Sequence, residues 1–151
     1  MRPAAFRFAL RGLRLTFAAE ANLRIHLAIA ETVLYLAAVE RLDAALWAVL
    51  ILAIALVLAL ELVNTAVERA VDLTVGERRT PLAAAAKDAA AGAVLLGAVG
   101  AAAVGFIVLW PGLYRLRDVP GNVSLLLGLV ALLLALFLTF RPPVRRVGPP
   151  H

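Results

Sequence analysis

The chain has 151 residues, no cysteine and a formal net charge of +5, and 64% of its residues are hydrophobic. Soluble globular domains are nearer to half apolar, so this composition predicts an integral membrane protein with one small bundle of helices. The lack of cysteine excludes a disulfide framework and a thiolate metal site. In a membrane protein the basic charge first sets orientation, so it does not predict a nucleic-acid partner.

The N-terminal segment predicts an amphipathic helix over residues 4–18. Apolar side chains recur at helical spacing on one face, and three arginines share another: Phe6, Leu10, Leu13 and Phe17, then Arg7, Arg11 and Arg14. This pattern favours a surface helix in the membrane interface, with its basic side toward anionic headgroups. The alternative is an ordinary amphipathic helix packed on the bundle.

Apolar runs predict four membrane spans joined by polar turns. The predicted spans cover residues of about 23–39, 44–72, 83–110 and 123–140. The second begins with twenty apolar-rich residues, which is enough at about 1.5 Å per residue for the roughly 30 Å hydrocarbon core. Residues 1–110 then form one domain, followed by an outer loop at 111–122, the additional span and a basic tail at 141–151.

The basic residues predict the orientation. With four spans and a cytoplasmic N-terminus, 12 of the 15 basic residues lie on the cytoplasmic side and three in the outer loops. The positive-inside rule therefore places both termini in the cytoplasm, as expected for a multi-pass protein of the plasma (inner) membrane.

The stretch ELVNTAVERAVDL, residues 61–73, places acids at the end of the longest apolar run. On a helix Glu61, Glu68 and Asp72 fall within roughly 40° of one another, with Asn64 about 60° to one side. Ionisable groups at membrane depth usually face the bundle interior and mark function. Surface acids beyond the membrane edge are the alternative, which fits Asp72 better than Glu61.

Clustered carboxylates beside an asparagine suggest an oxygen-ligand site for Mg²⁺. Two further polar clusters are predicted at the same depth: Glu20 with Asn22 and Arg24, and Lys87 with Asp88. Acids for a metal and a lysine for phosphate suit phosphoryl transfer. No Walker A or kinase glycine-rich loop is present, so the residues alone indicate metal-dependent chemistry at the cytoplasmic interface.

Four segments together resemble the prokaryotic diacylglycerol kinase and undecaprenol kinase family: FRFALRGL (6–13), EANLRIHL (20–27), ELVNTAVERAVDL (61–73) and AKDAAAGAVL (86–95). The resemblance implies a homotrimer whose subunits each carry a surface helix and three membrane helices, with active sites between subunits at the cytoplasmic face. ATP would donate its γ-phosphate to a lipid hydroxyl with Mg²⁺ bound. The family usually ends after its third span, so the span at 123–140 is an addition.

The resemblance also implies roles for the matching residues. Glu61 is the expected catalytic base, assisted by Asn64. Glu20 and Glu68 are the expected metal ligands and also contact ATP. Arg24 and Glu61 are expected to contact the lipid substrate.

For the nucleotide, the resemblance implies that Lys87 contacts the phosphates and Asp88 the base end of ATP. Glu77 matches a loop acid near the adenine, although its loop is one residue longer than usual. His26 is interpreted as a hydrogen-bonded helix-end histidine, with metal ligation the alternative.

Undecaprenol is the predicted acceptor, because RIHL and AKDAAAGAVL resemble the undecaprenol kinase branch more closely. A diacylglycerol kinase that makes phosphatidic acid is the alternative. A non-catalytic membrane scaffold and a small transporter are further alternatives from other classes of protein.

Overall fold

The computed structural model describes residues 3–76 and 80–112, together with residues 121 and 128. Within these residues the fold is all α, with four helices: α1 (Pro3–Ala19), α2 (Ala21–Glu40), α3 (Ala44–Val75) and α4 (Pro81–Leu109). The last three are each long and apolar enough to cross a membrane. The predicted all-α membrane fold is confirmed, with an N-terminal helix followed by three helices able to span a membrane. The predicted fourth span at 123–140, except residue 128, and the tail at 141–151 lie outside the described residues.

Polar residues and a glycine set the helix ends that fold the chain back on itself. The Asp43 carboxylate accepts hydrogen bonds from two N–H groups in the first turn of α3, at 2.9 and 3.0 Å. The Thr80 hydroxyl accepts one from the first turn of α4 at 3.2 Å, and Pro81 follows it. Gly76 ends α3 with φ of 59°, a conformation that favours glycine. The Asp43 and Thr80 caps satisfy N–H groups that the first turn of a helix leaves unpaired.

The distribution of polarity is that of a membrane protein. Large apolar side chains cover the exterior of the bundle, and Leu52 and Leu96 are 71% and 76% exposed. A small apolar core of Ala37, Leu50 and Leu109 lies at the predicted outer end. Several buried side chains are polar or charged. Polar groups therefore lie inside the bundle while the exterior suits lipid or a neighbouring subunit.

Close packing between α3 and α4 depends on a small residue. A Cβ atom added at Gly97 would overlap Cδ1 of Leu60 on α3. Small residues allow membrane helices to approach closely, as they do here. Because α4 packs mainly against α3, this contact fixes the position of α4 beside the acid-bearing end of α3.

The helix α1 joins the bundle through its C-terminal end. Thr16 is buried, whereas Phe6 and Leu13 are 61% and 47% exposed. An apolar face left uncovered on a basic helix suits a position in the membrane interface.

Candidate active site

The polar face of α3 runs from buried to exposed along the helix. Glu61 is 3% exposed and Asn64 9%, Glu68 is half-buried, and Asp72 is exposed. The 32 residues of α3 span about 48 Å at 1.5 Å per residue, more than the roughly 30 Å hydrocarbon core. The C-terminal part of α3 therefore extends beyond the core, and Glu61 lies where the apolar run ends.

Asn64 and Glu68 form one unit on this face. The Asn64 amide nitrogen donates a hydrogen bond to Oε1 of Glu68 at 2.9 Å. Oδ1 of Asn64 is buried and has no hydrogen-bond partner among the described residues. A buried polar atom without a partner is costly, so this oxygen is suited to a ligand.

Glu20 reaches the same region from the junction between α1 and α2. Its backbone is extended, with φ of −101° and ψ of 119°, which breaks the chain into two helices there. Oε1 of Glu20 lies 3.5 Å from Nη2 of Arg69. Because Arg69 follows Glu68, this contact brings Glu20 to the turn of α3 that carries Glu68.

Arg24 fixes the α1–α2 junction. It is only 6% exposed, and its Nη1 donates to the carbonyl oxygens of Phe17 and Ala18 at 3.2 and 3.4 Å. These carbonyls belong to the last turn of α1, where helices leave acceptors unpaired. The buried Nε of Arg24 has no partner in the described part of the chain.

The buried Glu61 carboxylate contacts a histidine. Nε2 of His26 lies 3.2 Å from Oε1 of Glu61, and the two side chains are 22% and 4% exposed. The sequence analysis interpreted His26 as a hydrogen-bonded helix-end histidine and named no partner, and the structure places its imidazole in contact with Glu61. The contact joins His26 in the RIHL segment of α2 to Glu61 in the ELVN segment of α3. Predicting it would have required the rotation of α2 relative to α3.

Two of the predicted nucleotide residues, Lys87 and Asp88, lie near the start of α4, beside the exposed end of the α3 face. Nζ of Lys87 lies 2.5 Å from Oδ1 of Asp72, which ties the start of α4 to the end of α3. Asp88 is exposed beside it. Glu77 lies outside the described residues. The sequence analysis placed Asp72 on the acidic face, with a surface acid as the alternative, and did not predict this ion pair.

An apolar cavity of about 450 Å³ lies between α2, α3 and α4. It is bordered by His26 at one end and Trp110 at the other, and most of its lining is aliphatic. The cavity therefore extends from His26, which contacts the buried Glu61 carboxylate, toward the predicted outer side of the membrane.

The donor atoms suit a hard cation. Glu20, Glu68 and Oδ1 of Asn64 supply oxygen, and Mg²⁺ usually binds one or two carboxylates together with substrate phosphates. Within the described ranges, no three His, Cys, Asp or Glu residues are grouped to hold a metal. Glu20, Glu68 and Asn64 are therefore the residues that could hold such a cation, together with a phosphate ligand.

The fold and the buried acids define a small helical membrane protein with an ionisable site at one end. The model of the prokaryotic diacylglycerol kinase family matches residues 7–109. A Synechocystis relative named diacylglycerol kinase is 47% identical over 112 residues, which are 74% of this chain and 64% of the relative. A Bacillus subtilis relative named undecaprenol kinase is 40% identical over 109 residues, which are 72% of this chain and 88% of the relative. No solved structure matches.

The chain belongs to the prokaryotic diacylglycerol kinase family. The resemblance predicted from the four motifs is therefore confirmed. The match covers less than two thirds of the length of the Synechocystis relative. The relatives' names give two different acceptor lipids, so the choice between these lipids stays a prediction.

Proposed function

We propose that this protein is a lipid kinase that transfers the γ-phosphoryl group of ATP, with Mg²⁺, to the hydroxyl of undecaprenol in the plasma membrane. The observation that carries the proposal is the graded acid face of α3. The buried carboxylate of Glu61 contacts His26, which borders an apolar cavity, and the face ends at the exposed Asp72 beside Lys87. This arrangement suits a reaction between a lipid and a soluble nucleotide.

In this proposal Glu61 takes the proton of the lipid hydroxyl as its oxygen bonds to the γ-phosphorus and ADP leaves. Glu20 and Glu68 would hold Mg²⁺, which neutralises phosphate charge when bound. Asn64 keeps the Glu68 carboxylate in place through its amide. Lys87 would leave Asp72 to contact the phosphates.

Three further features are proposed from the resemblance. The subunits form a homotrimer with sites between them at the cytoplasmic face. Asp88 and Glu77 contact the base end of ATP. Arg24 contacts the lipid substrate through the guanidinium atoms that do not bond to the α1 carbonyls. The excess of basic residues on one side supports cytoplasmic termini.

Diacylglycerol is the second candidate acceptor. The relative named diacylglycerol kinase shares 47% identity, against 40% for the one named undecaprenol kinase. The RIHL and AKDAAAGAVL segments favour undecaprenol.

The test is transfer of labelled γ-phosphate by the purified full chain, with undecaprenol and a diacylglycerol compared in parallel. Transfer should require Mg²⁺, and Glu61→Gln should lower it by about 10²–10⁴-fold, the usual contribution of a general base. Preference for diacylglycerol would establish the second candidate. No transfer to either lipid would overturn the kinase proposal in favour of a scaffold.

A further inference from the structure

We propose that His26 is a positioning residue for the catalytic base. In this inference, which rests on the proposed function, Nε2–H of His26 donates a hydrogen bond to Oε1 of Glu61. That bond fixes the carboxylate and leaves Oε2 to receive the proton of the lipid hydroxyl. The atoms lie 3.2 Å apart, at the limit of hydrogen-bond reach.

The need for such a donor follows from burial. The Glu61 side chain is 4% exposed, and a buried carboxylate is tolerated only when it is paired or hydrogen-bonded. The neighbouring polar side chains of α3 bond elsewhere. The Thr65 hydroxyl donates to the Glu61 backbone carbonyl at 3.0 Å, and the Asn64 amide donates to Glu68. In the described part of the chain, His26 is therefore the side chain that can donate a hydrogen bond to the Glu61 carboxylate.

The chemistry of the two groups fixes the direction of the bond. An ionised carboxylate can only accept, so the imidazole nitrogen that faces it must carry the proton. A neutral imidazole then has its hydrogen on Nε2. A hydrogen-bond donor that orients a catalytic base, which in turn contacts the substrate, is a recurring arrangement in active sites.

The position of His26 connects this pair to the apolar cavity. Its imidazole borders the cavity of about 450 Å³ and is the ionisable side chain in that lining. A lipid whose hydrocarbon chain occupies the cavity would present its hydroxyl near the imidazole and Glu61. During transfer the hydroxyl proton moves to Oε2 of Glu61, the new O–P bond forms and the bond from γ-phosphorus to ADP breaks. His26 keeps its own proton throughout.

The test compares His26→Leu, which removes the donor, with His26→Gln, whose amide can donate from a similar position. Both would be assayed in lipid nanodiscs beside the wild type and Thr32→Val, a matched change of an exposed polar residue on the same helix. Losing a hydrogen bond to a charged group corresponds to a decrease of about tenfold to a hundredfold. We expect that decrease in kcat for His26→Leu, with KM for ATP and lipid changed less than about twofold, and His26→Gln within about threefold of the wild type.

A second background tests whether His26 acts through Glu61. Glu61→Asp withdraws the carboxylate from the imidazole, so adding His26→Leu should then lower kcat by less than about twofold. Equal, full losses in both backgrounds would show that His26 acts independently of Glu61 and would overturn the inference. A His26→Leu protein with wild-type kcat would do the same, while the kinase activity of the wild type would still support the proposed function. A wild type without activity would overturn both.

A measurement independent of turnover covers variants that fail to fold. Nitrogen NMR of the labelled imidazole in the wild type should show a protonated Nε2. Protonation at Nδ1 alone would overturn the inference, because Nε2 could then not donate to Glu61.

Discussion

Replacing Asn64 with aspartate tests the metal-binding unit with the smallest change of shape. Asn64→Asp exchanges an amide NH₂ for an oxygen at a side chain that is 9% exposed. In the wild type the Asn64 amide donates a hydrogen bond to Glu68 at 2.9 Å. In the variant two carboxylates face each other at this place.

The size of the effect follows from two terms. The lost hydrogen bond to a charged group is worth about 1.5–3 kcal/mol. Repulsion between two unit charges 4 Å apart adds about 1 kcal/mol in water and about 4 kcal/mol near a protein surface. Since 1.4 kcal/mol is about tenfold, kcat/KM should fall by at least about fiftyfold at low Mg²⁺. A cation between the carboxylates would offset the repulsion, so part of the activity should return as Mg²⁺ is raised.

The assay measures lipid phosphorylation against Mg²⁺ concentration for the wild type, Asn64→Asp and Asn64→Ala. Asn64→Ala loses the bond without adding charge, so raising Mg²⁺ should restore its activity less than that of Asn64→Asp. Wild-type activity of Asn64→Asp at every Mg²⁺ concentration would refute the view that Asn64 positions a metal-binding Glu68.

Three further changes test other contacts. Gly112→Ala would place a Cβ against the buried Glu40 side chain, 2.8 Å from its Cγ. The variant should lower the free energy of unfolding by about 1–3 kcal/mol, measured by thermal unfolding. An unchanged unfolding midpoint would contradict this packing. Arg24→Leu removes the donor to the carbonyls of the last turn of α1, so hydrogen exchange there should become faster, with α4 as the internal control. Lys87→Met should raise KM for ATP about tenfold whereas Asp72→Asn should not, and equal KM values would argue against phosphate contact by the lysine.

Much of the fold could be predicted because hydropathy and end signals act locally. The apolar runs located all three described spans, and the turn at residues 40–43 was read from its polar sequence. Thr80 and Pro81 start α4 two residues before the predicted position, since the hydroxyl cap and proline fix that end. Glu20 has an extended backbone, so α2 begins at Ala21 and not at residue 23.

The site was harder to predict, because its contacts join helices that are distant in sequence. Periodicity showed that Glu61 and Glu68 share a face of α3, but not what that face meets. The contacts of Glu61 with His26 and of Glu20 with Arg69 depend on how α2 is rotated against α3. One sequence carries no direct signal for that rotation.

The spacing of the acids also bears on the transporter alternative. A proton relay needs groups within hydrogen-bond reach across the bilayer. Measured along the axis of α2 at 1.5 Å per residue, Glu31 lies about 7.5 Å from His26, and Glu40 lies about 13.5 Å beyond Glu31. The cavity that runs between these levels has a mostly aliphatic lining, and α4 carries no charged residue after Asp88. The ionisable groups instead concentrate along the last turns of α3, from the buried Glu61 to the exposed Asp72, about 16 Å away. Such a gradient across one interface suits a reaction between a lipid hydroxyl and a nucleotide in water better than passage of an ion through the membrane.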